Sequence, residues 1–180
     1  CPNLPYSGEP GDPNVVGPIG VLFVAERGQG TQMMPLFEAT ADRAGEPCRA
    51  AAPATTADAR YAESVEAAHS NQSEAARIGA ALGITAEPVR LDSQTKYAMV
   101  ARGDASIYLR VPRGDYRENI WDHAAGMLVV SEAGGQVSDV EGKPFDITTG
   151  QRMTDNRGAV VTAASIHDEV VAAVRSVLEG

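Results

Sequence analysis

Residues 121–126 read WDHAAG and sit inside the longer run ENIWDHAAGMLVVSEAGG at 118–135. Asp122 in this setting can do two kinds of chemistry. As an N-cap, its carboxylate accepts hydrogen bonds from the free backbone N–H groups of residues 124 and 125. As a ligand, it holds a divalent cation beside a phosphate, at a helix end whose dipole favours anions. Trp121 and His123 flank it, and Ala124, Ala125 and Gly126 clear side-chain bulk from the first turn. His123, Ala124 and Ala125 are therefore expected to form an anion-facing helix N-terminus. Capping and coordination are compatible, and local sequence leaves both open.

The elements that must position this segment follow from periodicity. Apolar residues from about Trp121 to the glycines at 134–135 predict a helix. Upstream, residues 1–18 read as loop, and an apolar run at 19–25, a Gly-rich turn at 28–30 and a second short run predict a β-hairpin. The GQG of that turn lacks the GK[ST] ending and the following helix of a phosphate loop. Residues 38–60 read as a surface connection with one edge strand. SEAARIGAALGI predicts a helix closed by Gly83, 88–91 a short strand, 94–102 a helix, and 105–111 a strand ended by Pro112. The RGD at 113–115 is a chance match in an acidic chain. Residues 135–147 predict a strand, a turn at Glu141–Gly142 and a returning strand. Residues 158–164 predict a buried strand, followed by an amphipathic helix with Ser165 as N-cap and His167 on its surface. Helices alternating with strands argue for an α/β layered sandwich.

The chain has 180 residues, 43% hydrophobic and 22% charged, enough for one globular unit with its own core. Its 24 acidic and 15 basic residues give a formal charge of −9. That field repels polyanions, so neither a nucleic acid polymer nor an anionic membrane is an expected partner. Cys1 and Cys48 are the only cysteines and show no zinc spacing; one disulfide between them stays open. No run approaches the roughly 20 apolar residues that span a bilayer, and a cytoplasmic location is expected. The first residues, CPNLPYSGEPGDPN, lack an initiator Met and a signal-peptide pattern, and read as the start of a processed or truncated chain.

WDHAAGMLVVSEAGG resembles the C-terminal signature of the inositol monophosphatase-like, magnesium-dependent and lithium-sensitive phosphatases. CPNLP at the start, LDSQTKYAMVARGDASIYLR at 91–110 and NIWDHAAG resemble the 3'(2'),5'-bisphosphate nucleotidase branch of that family. The resemblance covers nearly the whole chain, with 38–60 least alike. It implies the C-terminal portion of the sugar/inositol phosphatase-like fold. It also implies removal of the 3'-phosphate of adenosine 3',5'-bisphosphate to give AMP, Mg²⁺ as cofactor, and a monomeric complete enzyme. Asp122 would be a metal ligand shared with the scissile phosphate. Ser93 and Lys96 of DSQTK, Arg110 of IYLR, and His69 of AAHSNQSE would contact the nucleotide. The family stretch around His69 carries a second His where this chain has Gln72.

Each residue also has a plainer role. Lys96 could be a solvated helix charge, although it is one of only two lysines beside thirteen arginines. Ser93 could cap the 94–102 helix, Arg110 could pair with a surface acid, and His69 could be a surface residue. A sugar or inositol phosphatase of the same family, or a non-catalytic nucleotide-binding module, are the alternatives in function. Two family motifs are missing: the helix with paired Glu residues, and D-P-x-D-G-T, for which GDPNVVG at 11–17 is a poor match. The chain thus reads as a C-terminal α/β portion without the N-terminal metal-binding part, inactive alone and prone to self-association through exposed apolar surface.

Overall fold

The computed structural model describes residues 1–12, 14–40, 42, 44–65, 72–111 and 114–180. Strands β1 (Val21–Glu26) and β2 (Gly30–Pro35) form the expected hairpin, and β3 (Glu46–Cys48) adds to β2 as the edge strand. A second sheet takes β4 (Tyr61–Glu63), β5 (Val89–Arg90), β6 (Ile107–Arg110), β7 (Gly135–Ser138) and β8 (Ala159–Ala163) in the order β5-β4-β6-β8-β7. β4 runs parallel to β5 and β6, whereas β8 is antiparallel to β6 and β7. Helices α1 (Gln72–Ala81), α2 (Thr95–Arg102), α3 (Ile120–Glu132) and α4 (His167–Glu179) fill the layers. The layered α/β class expected from sequence is what the chain adopts.

Two apolar clusters show how the layers stack. One joins α2 and α3 to the small sheet through Val21 and Cys48, and to the large sheet through Tyr108, Ala159 and Val161. The other joins Ile78 of α1 and Val170 and Val174 of α4 to Ile107, Val160 and Ala163. α2 and α3 therefore lie between the two sheets, and α1 and α4 cover the far face. Alternation along a strand explains the split, since successive residues point to opposite faces. β8 is buried along its whole length, so AVVTA reads as an unbroken apolar run.

The structure departs from the expected elements in several places. β4 went unpredicted because Tyr-Ala-Glu is too short to carry a period. α3 starts at Ile120 with Asn119 at the N-cap, so Asp122 is not the cap but the third helical residue. The return strand after β7 is absent. Instead Asp139 accepts the N–H groups of Glu141 and Lys143 at 2.9 Å each, and of Arg157 at 3.3 Å. One buried carboxylate thus satisfies donors that a ladder would have paired. Ser165 is not a cap: its hydroxyl donates to the carbonyl of Pro53, and α4 begins two residues later. Cys1 and Cys48 are free thiols, and burial pushes that of Cys48 up to about 11. No helix among the described residues is long and apolar enough to cross a membrane.

His167 is buried rather than on the surface. Its Nδ1 lies 2.7 Å from Thr162 Oγ1 and its Nε2 3.0 Å from Ser138 Oγ. Ser138 gives its own hydrogen to the carbonyl of Asp139, so it accepts from the ring. Burial lowers the pKa of His167 below its ordinary 6.5. The folded state then binds fewer protons than the unfolded one, and stability from this residue is full above 6.5 and lost as pH falls below it. Urea midpoints measured from pH 7.5 to pH 5 should fall in the native chain and fall less in His167→Gln; parallel curves would refute the assignment.

Candidate anion-binding site

Strand alternation decides which side chains reach the interlayer. Ile107 and Leu109 of β6 face α1 and α4, so Tyr108 and Arg110 face α2 and α3. α2 is packed between two sheets, and all its residues from Thr95 to Ala101 are buried. Lys96 is thus forced inside, with only 4% of its surface exposed. Its ammonium donates to the carbonyls of Ser93 at 2.7 Å and Leu91 at 3.3 Å and lies 5.4 Å from the centre of the Tyr108 ring. Burial, with a smaller push from Arg110, lowers its pKa to about 8 against the pull of Asp92.

Lys96 and Arg110 line one cavity with Tyr61, Glu63, Ser64 and Tyr108. Its floor is the carboxyl ends of the parallel strands β4 and β6, where open α/β sheets bind ligands. The cavity encloses about 20 Å³, room for one water or one oxygen of an anionic group seated at its mouth.

Arg110 is held from outside the cavity. Its Nε donates to Glu118 Oε2 at 2.8 Å, and that oxygen also lies 3.0 Å from His123 Nε2. The other ring nitrogen of His123 is 2.7 Å from the Tyr97 hydroxyl. Burial opposes ionisation of Glu118, but His123 and Arg110 outweigh it and hold the carboxyl below its usual range. Burial likewise works against the charge of Arg110, and Glu118 and Tyr108 more than restore it.

The residues expected from sequence fall into three groups. Lys96 and Arg110 share the cavity. Ser93 and Ala125 instead line a separate, largely apolar cleft of about 330 Å³ with Cys1, Phe23, Tyr97 and Gly126. Ser93 has a left-handed backbone (φ 67°), and its hydroxyl stands 3.0 Å from that of Thr95. His69 lies outside the described residues.

The expected anion-facing turn is displaced. With Asn119 as N-cap, the N–H of Ile120 donates to Gln151 and that of Asp122 to Asn119, at 3.1 Å each, and His123, Ala124 and Ala125 are already in the ladder. The ring of His123 is fully buried against Tyr97 and Glu118 and faces no open space. Gly126 has a packing reason: a Cβ there would stand 2.4 Å from Cγ of Tyr97. Small residues in this turn let α2 approach α3. Glu118, Tyr97 and Tyr108 were missed, and only Tyr108 carried a signal, since it shares the strand face of Arg110.

Asp122 is half-buried and accepts from the Asn119 side-chain amide at 3.2 Å. Among the described residues no three His, Cys, Asp or Glu side chains cluster as a metal site would need. One carboxylate supplies too few oxygens to hold Mg²⁺. These residues alone do not fit a magnesium centre.

The GQG turn is also an anion site, filled from within. The N–H of Gly28 lies 3.0 Å from both Glu132 carboxylate oxygens, and that of Gly30 lies 3.0 Å from one of them. These bonds hold Glu132 below the usual carboxylate range.

Among known proteins, the chain is 45% identical to a 3'(2'),5'-bisphosphate nucleotidase of Emericella nidulans, over 99% of this chain and 53% of that protein. It is 39% identical to one of Schizosaccharomyces pombe, over 98% of this chain and 49% of that one. It thus spans about half the length of the curated relatives it matches. Its fold matches the suhB protein of Bartonella henselae (TM-score 0.62, 23% identity, 88% of this chain and 60% of that one). It also matches the inositol monophosphatase of Anabaena (TM-score 0.60, 22% identity, 87% and 54%). The family model for the inositol monophosphatase family matches residues 12–179, nearly the whole chain, and the chain belongs to that family.

Proposed function

We propose that this chain is the C-terminal, substrate-recognising portion of a magnesium-dependent 3'(2'),5'-bisphosphate nucleotidase, a phosphomonoester hydrolase that converts adenosine 3',5'-bisphosphate to AMP and phosphate. The observation that carries the reading is a buried ammonium beside a guanidinium in one small cavity at the strand ends. Burying Lys96 is costly, and a dianionic phosphate group is a partner that would offset it. Arg110 adds a planar donor suited to phosphate oxygens. The names of the relatives supply the nucleotide.

Asp122 would give one oxygen to the metal, and the remaining ligands would come from protein outside these 180 residues. Magnesium, when held by a full ligand set, would activate water and neutralise the leaving oxygen. The part played by this chain is to bind and orient the phosphate through Lys96 and Arg110.

The test is phosphate release from adenosine 3',5'-bisphosphate, inositol phosphate and fructose bisphosphate with Mg²⁺. The 180 residues alone should release almost none. Supplying the complementary N-terminal portion of a family member, in cis or in trans, should restore turnover with the nucleotide preferred. Full turnover by the chain alone, or a preference for the sugars, would overturn the proposal.

A further inference from the structure

Arg110 carries the ligand contact in the reading above, yet it is one of several groups in a connected row. Tyr97 and His123 are almost wholly buried, and Glu118 is 4% exposed. None of the three lines the Lys96 cavity. Their polar atoms are accounted for in sequence: Tyr97 hydroxyl to His123 Nδ1, His123 Nε2 to Glu118 Oε2, Glu118 Oε2 to Arg110 Nε. The direction of donation can be worked out. The Glu118 carboxylate only accepts, so His123 carries a hydrogen on Nε2; in the neutral ring the Tyr97 hydroxyl then donates to Nδ1. A buried carboxylate bonded to one cation and one imidazole has little freedom to turn.

The consequence concerns Arg110. A guanidinium on a flexible stem beside a buried ammonium would swing away from it, since like charges repel. Glu118 takes Nε, the nitrogen nearest the stem, and Tyr108 holds the group as well, so its plane is fixed where Arg110 lines the cavity. We propose that Glu118 and His123 are positioning residues, a buried brace that keeps the Arg110 guanidinium beside Lys96 and so sets the affinity of the site for a phosphate group. The inference rests on the anion-binding reading of the cavity. It adds two residues that do not touch the ligand and gives His123 a role other than base or anion contact.

The experiment is nitrogen-15 NMR of arginine-labelled chain, with titrations of inorganic phosphate and of adenosine 3',5'-bisphosphate. In the native chain the Arg110 Nε–H signal should be shifted downfield and slow to exchange, and Arg110→Ala identifies it. A signal exchanging as fast as those of exposed arginines overturns the brace without any variant. Glu118→Gln should abolish the shift and weaken phosphate binding about tenfold, the scale of one hydrogen bond to a charged group. His123→Leu should do the same, whereas His123→Gln, which can keep a donor toward Glu118, should recover most of both.

Unchanged affinity in Glu118→Gln, while Arg110→Ala loses binding, would refute the brace and leave the site standing. Unchanged affinity in Arg110→Ala would refute the site itself. Should Glu118→Gln fail to fold, the His123→Leu and His123→Gln pair decides by the same signal.

Discussion

Gly126→Ala should be among the most damaging single-methyl changes in this chain. Its new Cβ would stand 2.4, 2.7 and 2.9 Å from Cγ, Cδ2 and Cβ of Tyr97, and contacts that short do not survive. Tyr97 cannot yield easily. Its hydroxyl is tied to His123, and its ring meets Tyr108 edge-on with centroids 5.3 Å apart. The alternative is to push α2 away from α3, which opens the layer between the two sheets. Overpacking of this kind costs about 3 kcal/mol. In a unit of this size that lowers Tm by about 6–12 °C. Phosphate affinity should fall as well, because Tyr97 holds His123 and Lys96 is on the same helix. Ala125→Ser, one position away on an exposed site, should change neither. A Gly126→Ala melt within about 2 °C of the native chain would refute the packing account.

Lys96→Met separates binding from folding. The ammonium makes a charge-assisted contact with any anion in the cavity, so its loss should weaken phosphate or nucleotide binding about a hundredfold. The fold should tolerate the change, since methionine fills the same space without a buried charge. The pH dependence follows from the lowered pKa of about 8. Lys96 is charged below that value and neutral above it, so native affinity should fall as pH rises through about 8. The variant should show no such fall, and calorimetric titrations at pH 7, 8 and 9 would check it. Folding stability runs the other way. The folded state holds the proton less tightly than the unfolded chain, so the native chain should gain stability from about pH 8 toward 10.5 relative to Lys96→Met. Equal affinity of the two proteins at pH 7 would remove Lys96 from the site.

What sequence could and could not show divides along physical lines. The hairpin, α2, α3 and the buried run AVVTA were legible because each carries its own period or punctuation. β4 was not, because three residues hold no period and its place in the sheet is set by partners far along the chain. The chemistry of Lys96 was legible only as a possibility. Whether a helix charge is solvated depends on what covers the helix, and here two sheets do. Asp122 shows the reverse error. Local pattern allowed it as a cap, but Asn119 starts the helix three residues earlier, and the shift takes His123 from the end of the helix into the core. Glu118 opens the run ENIWDHAAG but was not legible as a site residue, because its role depends on the fold bringing Arg110 and His123 to one carboxylate oxygen.

The Glu132 clip bears on how the chain is made. Its bonds to Gly28 and Gly30 join residues 104 and 102 positions apart. The hairpin can form as soon as it leaves the ribosome, on a timescale of about 1–10 μs. Its lock does not yet exist, because α3 is synthesised about a hundred residues later, roughly 5–20 s at ordinary elongation rates. Through that interval the hairpin carries an apolar face, with Phe23 and Met33, that α3 has yet to cover, and productive collapse must wait for a distant helix. The nascent chain should therefore depend most on chaperones before residue 132 emerges, and pausing of synthesis between the hairpin and α3 should lower the yield of folded protein.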